Sequence, residues 1–249
     1  MTRRLVAILL ALVGTAAVVV LALATLFPNE DRITLTPPGP IRSVEVDVEV
    51  GRVTVLPADT EATTVERTRT YLLGEPRSTE TVVEGVLRIE AECPRIVTFG
   101  CTVDYRLQVP AGVAVRIRTD RGSVAVSDMR GTVEVATQSG GVRLERTQGP
   151  VVVTTSAGNV DGVDLAASYL DATTGAGRIR LSLTEPPGRL GLRTGAGNIE
   201  VAVPVAAGGY RVDADAGAGR VDVGVEQNEG SSRTLVARSD AGNIAIRVR

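Results

Sequence analysis

Seven stretches of twelve residues repeat one order of apolar and polar positions. They are VRIRTDRGSVAV (115–126), VEVATQSGGVRL (133–144), VVVTTSAGNVDG (151–162), LDATTGAGRIRL (170–181), LGLRTGAGNIEV (190–201), VDADAGAGRVDV (212–223) and LVARSDAGNIAI (235–246). Each follows apolar-x-apolar-x-Thr-x-Ala-Gly-x-apolar-x-apolar, with few departures. Their starts lie 18, 18, 19, 20, 22 and 23 residues apart. A copy at 44–55 (VEVDVEVGRVTV) fits the same template with Val48 in the threonine slot. Repeats of this length are supersecondary units that bury their apolar faces only by stacking.

Within a unit, positions 1, 3 and 5 alternate with polar residues, as do positions 10 and 12. That is the period of a half-buried strand. Positions 5 and 10 are an odd number apart, so a straight strand would send them to opposite faces. The chain must bend at x-Ala-Gly to keep both halves on one core. The expected corner residues are Gly122, Gly140, Gly158, Gly177, Gly197, Gly219 and Gly242. Thr119, Thr137, Thr155, Thr174 and Thr194 share one slot, where stacking predicts hydroxyls bonded along a ladder and methyls packed inward.

The outward positions predict in-register stacking. Position 11 reads Ala125, Arg143, Asp161, Arg180, Glu200, Asp222, Ala245. Position 4 ends Arg193, Asp215, Arg238, and position 2 begins Arg116, Glu134. Stacked coils place such opposite charges one strand spacing apart, about 4.8 Å. The expected fold is all-β: a β-solenoid, parallel β-helix-like, of about seven to eight coils. An antiparallel meander with x-Ala-Gly-x as hairpin loops is the alternative. Connections lengthen from 127–132 to 224–234.

Leu5 to Phe27 carries no charge and is long enough to span a bilayer. Arg3 and Arg4 precede it, which orients the first four residues as a cytoplasmic tip and the rest outside. The expectation is a single-pass transmembrane anchor at 5–27 in a bacterial cytoplasmic membrane. A long cleaved signal sequence, cut after Ala22-Leu23-Ala24, is the rival. Residues 28–42 hold four prolines and read as a spacer. Residues 43–110 are assigned to an N-terminal β cap region with the first coil, and 111–249 to the repeat solenoid. Strand-like runs in the cap are Thr63 to Tyr71, Thr81 to Ile89 and Tyr105 to Val109.

Composition narrows the chemistry. There is no His, Trp or Lys. After the anchor, 25 Arg (27 less Arg3 and Arg4) face 29 acids, a net of −4. This argues against a nucleic-acid surface. Without His or Lys there is no serine triad, no Cys-His pair and no phosphate-binding lysine. Cys93 and Cys101, in an exported domain, read as a disulfide closing a hairpin. No cofactor or metal is expected, although an acidic loop at 159–164 (NVDGVD) offers a calcium alternative. The one enzymatic alternative is glycoside cleavage by Asp213 and Asp215, two apart on a strand, with Asp161, Asp171 and Asp222 on neighbouring coils. Both acids fill ordinary outward slots of the repeat. The chain has six aromatics to offer a sugar.

The segment Leu107-Gln108-Val109-Pro110-Ala111-Gly112, followed by successive Thr-x-Ala-Gly-x-Ile/Val-x-Val units, resembles a bacterial β-strand-repeat family of unknown function labelled as candidate adhesins. LiaG-like envelope proteins are similar. The resemblance implies an envelope-located, non-catalytic β-helix-like domain with no catalytic residue set to carry over. The resulting expectation is a membrane-tethered extracellular binding or scaffold module. Its partners are the bilayer through 5–27, and an envelope protein or a second copy. Either would dock on an open C-terminal coil at Ile244, Ile246 and Val248.

Overall fold

The computed structural model describes residues 12–19, 28–94 and 100–249. Residues 12–19 are helical. Among the described residues no helix is long and apolar enough to cross a membrane. The tip at 1–4 and most of the anchor expected over 5–27 lie outside the described residues.

The rest is β-structure. The chain opens with β1 (Asn29–Leu35), β2 (Ser43–Val50), β3 (Val53–Pro57), β4 (Thr64–Tyr71), β5 (Arg77–Val83), β6 (Val86–Glu92) and β7 (Thr102–Val109). Repeats follow as strand pairs broken at the corner: β8 (Ala114–Arg121) with β9 (Val124–Ser127), β10 (Val133–Ser139) with β11 (Val142–Glu145), and β12 (Val151–Ala157) with β13 (Val160–Leu165). Then come β14 (Tyr169–Ala176) with β15 (Ile179–Leu183), β16 (Arg189–Ala196) with β17 (Ile199–Val203), β18 (Arg211–Ala218) with β19 (Val221–Val223), and β20 (Thr234–Ala241) with β21 (Ile244–Val248).

The first strand of each pair joins a ten-stranded sheet, β18-β20-β16-β14-β12-β10-β8-β2-β6-β5. The second joins an eleven-stranded sheet, β1-β4-β7-β3-β9-β11-β13-β15-β17-β21-β19. Neighbouring coils pair in parallel and in register, Thr137 beside Thr119 and Thr155, Val142 beside Val124 and Val160. The antiparallel meander is therefore ruled out for the repeats. Among the described residues nine coils stack where seven to eight were expected, because β6 and β7 form a coil the repeat pattern does not show.

The order of coils departs from the order of the sequence at both ends. The β2–β3 coil lies between β6–β7 and β8–β9. The β20–β21 coil lies between β16–β17 and β18–β19. The C-terminal coil is thus not an open end, contrary to expectation. It is flanked on both sides, and the outermost coil is 211–223. The long connections at 204–210 and 224–233 let the chain skip one layer and return to fill it. Tyr210 ties them together: it is buried, its hydroxyl donates to the Pro204 carbonyl at 2.7 Å, and it bridges to Gln227.

Two other boundaries move. The spacer expected over 28–42 begins with β1, which pairs antiparallel with β4. The run Thr81 to Ile89 is not one strand. It folds as the β5–β6 hairpin, turning at Glu84-Gly85, both at positive φ.

The interior is a continuous column of inward residues, such as Val135, Val153, Leu192 and Ile244. Where the two sheets meet, the corner glycines stack. A Cβ on Gly197 would collide with the Gly177 carbonyl oxygen, one on Gly242 with that of Gly197, and one on Gly219 with that of Gly242. Gly177 and Gly197 also hold φ of +153°, a region that side chains disfavour. Glycine is required here because successive backbones touch. The threonine slot is buried, with Ser239 completing it. Its hydroxyls do not bond one another as expected. Thr174, Thr194 and Ser239 donate to the corner carbonyls of Gly158, Gly177 and Gly197 at 2.9, 3.0 and 2.9 Å.

Candidate functional site

Outward side chains on both sheets form short charged ladders, as strand alternation and in-register stacking require. Arg116 meets Glu134 at 2.7 Å, Arg180 meets Glu200 at 2.8 Å, and Arg88 meets Glu45 at 2.8 Å. Arg143 turns instead to Glu145 on its own strand. The column expected to run Arg193, Asp215, Arg238 runs Arg193, Arg238, Asp215, because the last coil is interposed. Arg238 then bonds Asp213 at 2.6 Å. Exposed pairs of this kind contribute about 0–1 kcal/mol each.

Asp213 and Asp215 lie on β18, the exposed edge strand of the ten-stranded sheet. Asp222, on β19, is bonded to Arg247 at 2.6 Å. Asp161 and Asp171 lie on inner coils. These acids are not gathered into one site. The acidic loop at 159–164 is likewise engaged: Asn159 accepts the Arg178 amide at 2.9 Å, and Asp164 accepts from Arg249. Among the described residues no group of three or more His, Cys, Asp or Glu is placed to hold a metal ion.

Three arrangements were not legible as sites in the sequence. The first is a buried triad at the N-terminal end of the core. Arg67 of β4 donates to both carboxylate oxygens of Glu80 on β5, at 2.9 and 3.1 Å, and the Tyr105 hydroxyl of β7 donates to the same carboxylate at 2.7 Å. Burial first, and the neighbouring carboxylate second, push the tyrosine hydroxyl far above the usual phenol range. The triad joins the two sheets across the interior, closing that end with charge.

The second is an outward acidic depression of about 490 Å³, lined by Asp47, Glu49, Glu90, Glu92 and Asp120. Its members come from β2, β6 and β8, three neighbouring strands of the ten-stranded sheet. Burial raises the Asp47 pKa. Arg118 opposes this shift, while Asp120, Glu90 and Glu92 add to it. The depression abuts Cys93, which is bonded to Cys101 with a Cα–Cα distance of 6.0 Å.

The third is an amide ladder at the corner. Asn198 accepts the Asn243 backbone N–H at 2.8 Å, and Asn243 accepts that of Arg220 at 3.0 Å. Recurrent Asn directly after the corner glycine was the available signal. These side chains satisfy backbone donors that the bend leaves out of the sheet ladders.

A repeat of two short strands, cornered at stacked glycines and laid in two parallel sheets, runs through the whole C-terminal half. The family model described as Toastrack DUF4097 matches residues 112–249. The chain belongs to the Toastrack family. Two solved structures resemble it at low identity. A candidate cell adhesion protein of Clostridium sporogenes is 12% identical, with a TM-score of 0.44 over 90% of this chain and 100% of that one. A candidate adhesin of Bacteroides fragilis is 12% identical, with a TM-score of 0.44 over 88% and 98%. No curated protein matches the chain. The Toastrack match begins just before β8, so β1 to β7 lie outside the matched residues; they carry the disulfide and the buried triad and supply four of the five acids of the depression.

Proposed function

We propose that this Toastrack protein is a membrane-tethered scaffold, held outside the bacterial cytoplasmic membrane, that acts by binding and not by catalysis. The observation that carries the reading is the fate of its carboxylates. Asp213, Asp222, Asp164, Glu134 and Glu200 are each held by an arginine of a neighbouring or nearby coil. Glu134 and Glu200 bond their register partners and the other three bond arginines diagonally or across layers, so these acids serve as outward ion pairs, not as convergent acids around a substrate. The uncharged run from Leu5 to Phe27 behind Arg3 and Arg4 supports the tether. A stiff stack of nine coils, about 38 Å from first to last at the strand spacing, suits display of a surface away from the membrane.

Protease treatment of intact cells making the full chain tests the topology. Loss of the domain after Phe27 is the expected result, and a protected full-length chain rejects the reading. The Asp213→Asn, Asp215→Asn double variant tests the mode of action. Capture of envelope fractions should be unchanged. A glycoside-cleaving activity in the wild type that this variant loses would reverse the conclusion.

A further inference from the structure

The two ends of the stack are finished differently. At the N-terminal end, β5 covers β6 as an antiparallel hairpin, β4 and β1 extend the other sheet, and the inward Glu80 is neutralised by Arg67. An inward charge and charged edge residues are devices that discourage further strand pairing. At the far end, no described strand lies outside β18 or β19.

The backbone shows which groups are free there. The Arg211 N–H donates to the Arg233 carbonyl at 2.9 Å, on the β20 side. Successive residues of a strand point their amides to opposite sides. Arg211, Asp213 and Asp215 therefore face β20, while Val212, Ala214 and Ala216 turn N–H and C=O outward. The inward side chains Val212, Ala214, Ala216 and Val223 are only partly covered, and Val221 is 42% exposed. No inward charge protects them.

We propose that this edge docks a second copy of the chain, β18 against β18 and β19 against β19, antiparallel about one two-fold axis. The proposal rests on the fold and goes beyond the binding role above. A lone extended peptide covers one sheet edge, whereas a second copy supplies both strands in matching geometry. Charge favours self-pairing. An antiparallel β18 pair centred on Val212 sets Arg211 of each copy opposite Asp213 of the other, whereas one centred on Asp213 sets Arg211 opposite Asp215 but brings the two Asp213 side chains face to face. The register with Asp213 opposite Asp215 is disfavoured by like charge. A two-fold contact closes on itself, so it ends both stacks without growing fibres.

Sedimentation of the full chain in detergent micelles, at micromolar concentration, tests this. The wild type should be dimeric. Ala214→Pro removes only an outward amide, and edge strands tolerate proline there. It should weaken association about tenfold or more, with unchanged circular dichroism and melting. Two charge variants guard against a folding defect. Arg211→Glu alone, and Asp213→Arg with Asp215→Arg, should each be monomeric, and mixing them should restore a dimer. A folded monomeric wild type overturns the proposal, as does one that binds extended peptides but not itself. So does a folded Ala214→Pro protein that dimerises like the wild type, since the contact would then lie elsewhere. A mixture of charge variants that stays monomeric overturns it too.

Discussion

Gly242 packs against the carbonyl of Gly197, 45 residues before it in the chain, and carries Gly219 on its own carbonyl. The last coil therefore sits one layer inside the coil that precedes it in sequence. Asn198 and Asn243 are adjacent at the same corner, and Arg220 is one layer further out.

That order can be read with engineered cysteines. Adjacent parallel strands lie about 4.8 Å apart, within disulfide range, and next-nearest strands lie near twice that distance. Asn198→Cys with Asn243→Cys should oxidise to a second disulfide, seen as a mass change on reduction. Asn198→Cys with Arg220→Cys should remain as thiols. The reverse result would restore the order of the sequence.

A corner glycine should be far less replaceable than Gly141, which directly follows the corner residue Gly140. Gly177→Ala drives a methyl into the Gly158 carbonyl and should cost about 3 kcal/mol. At Gly141 the nearest atom to an added Cβ is 3.6 Å away, so Gly141→Ala should change the melting temperature little. Equal melting shifts for the two would contradict the stacked-corner geometry.

The triad at the N-terminal end gives a ranked pair. Glu80→Ala strands the Arg67 guanidinium, whose side chain is 9% exposed, and should cost about 3–5 kcal/mol. Tyr105→Phe leaves the ion pair standing and should cost about 1–3 kcal/mol. Urea unfolding of both variants measures the difference. A smaller loss for Glu80→Ala than for Tyr105→Phe would mean that the carboxylate is not the hub.

Two aspartates should respond to pH with opposite sign. The Asp47 pKa is raised in the folded protein, chiefly by burial, so the fold binds that proton more tightly than the unfolded chain does. Its contribution to stability grows as pH falls through the raised value. Asp47→Asn should therefore raise the melting temperature at neutral pH. Asp128 is held low, first by its hydrogen bond from Arg146, so its contribution is present above the ordinary value of 3.8 and lost as pH falls through the lowered one. Asp128→Asn should lower the melting temperature at neutral pH, by less than about 1 kcal/mol for so exposed a pair. Melting curves across the acid range check both signs.

Reduction of Cys93–Cys101 opens a short loop, with a sequence separation of 8. The chain-entropy estimate for such a loop is about 2–3 kcal/mol. Intact mass should fall on oxidation by two hydrogens, and the reduced protein should melt lower. An unchanged melting temperature would mean that the crosslink leaves the unfolded chain no more restricted.

The repeat by itself determined the bend at the glycine column and the inward threonine slot, and favoured a parallel, in-register stack over the meander. These follow from spacing, because one misplaced residue would turn a strand's apolar face to water. What the repeat could not specify is which coil lies against which. Every coil carries nearly the same inward pattern and so fits against any other. Charge does not settle the matter, since the observed order relieves Glu200 from Asp222 by interposing Ala245 but sets Arg193 beside Arg238. Burial decides it. The interposed coil brings Leu235, Ile244 and Ile246, all fully enclosed, while the smaller Val212, Ala214, Ala216 and Val221 are left at the rim. Larger apolar side chains lose more when left in water, and the long 204–210 and 224–233 connections give the chain enough length to place them inside. The acidic depression and the buried Arg67–Glu80–Tyr105 triad belong to the same level. Their members come from strands far apart in sequence, and only the assembled stack brings them within reach of one another.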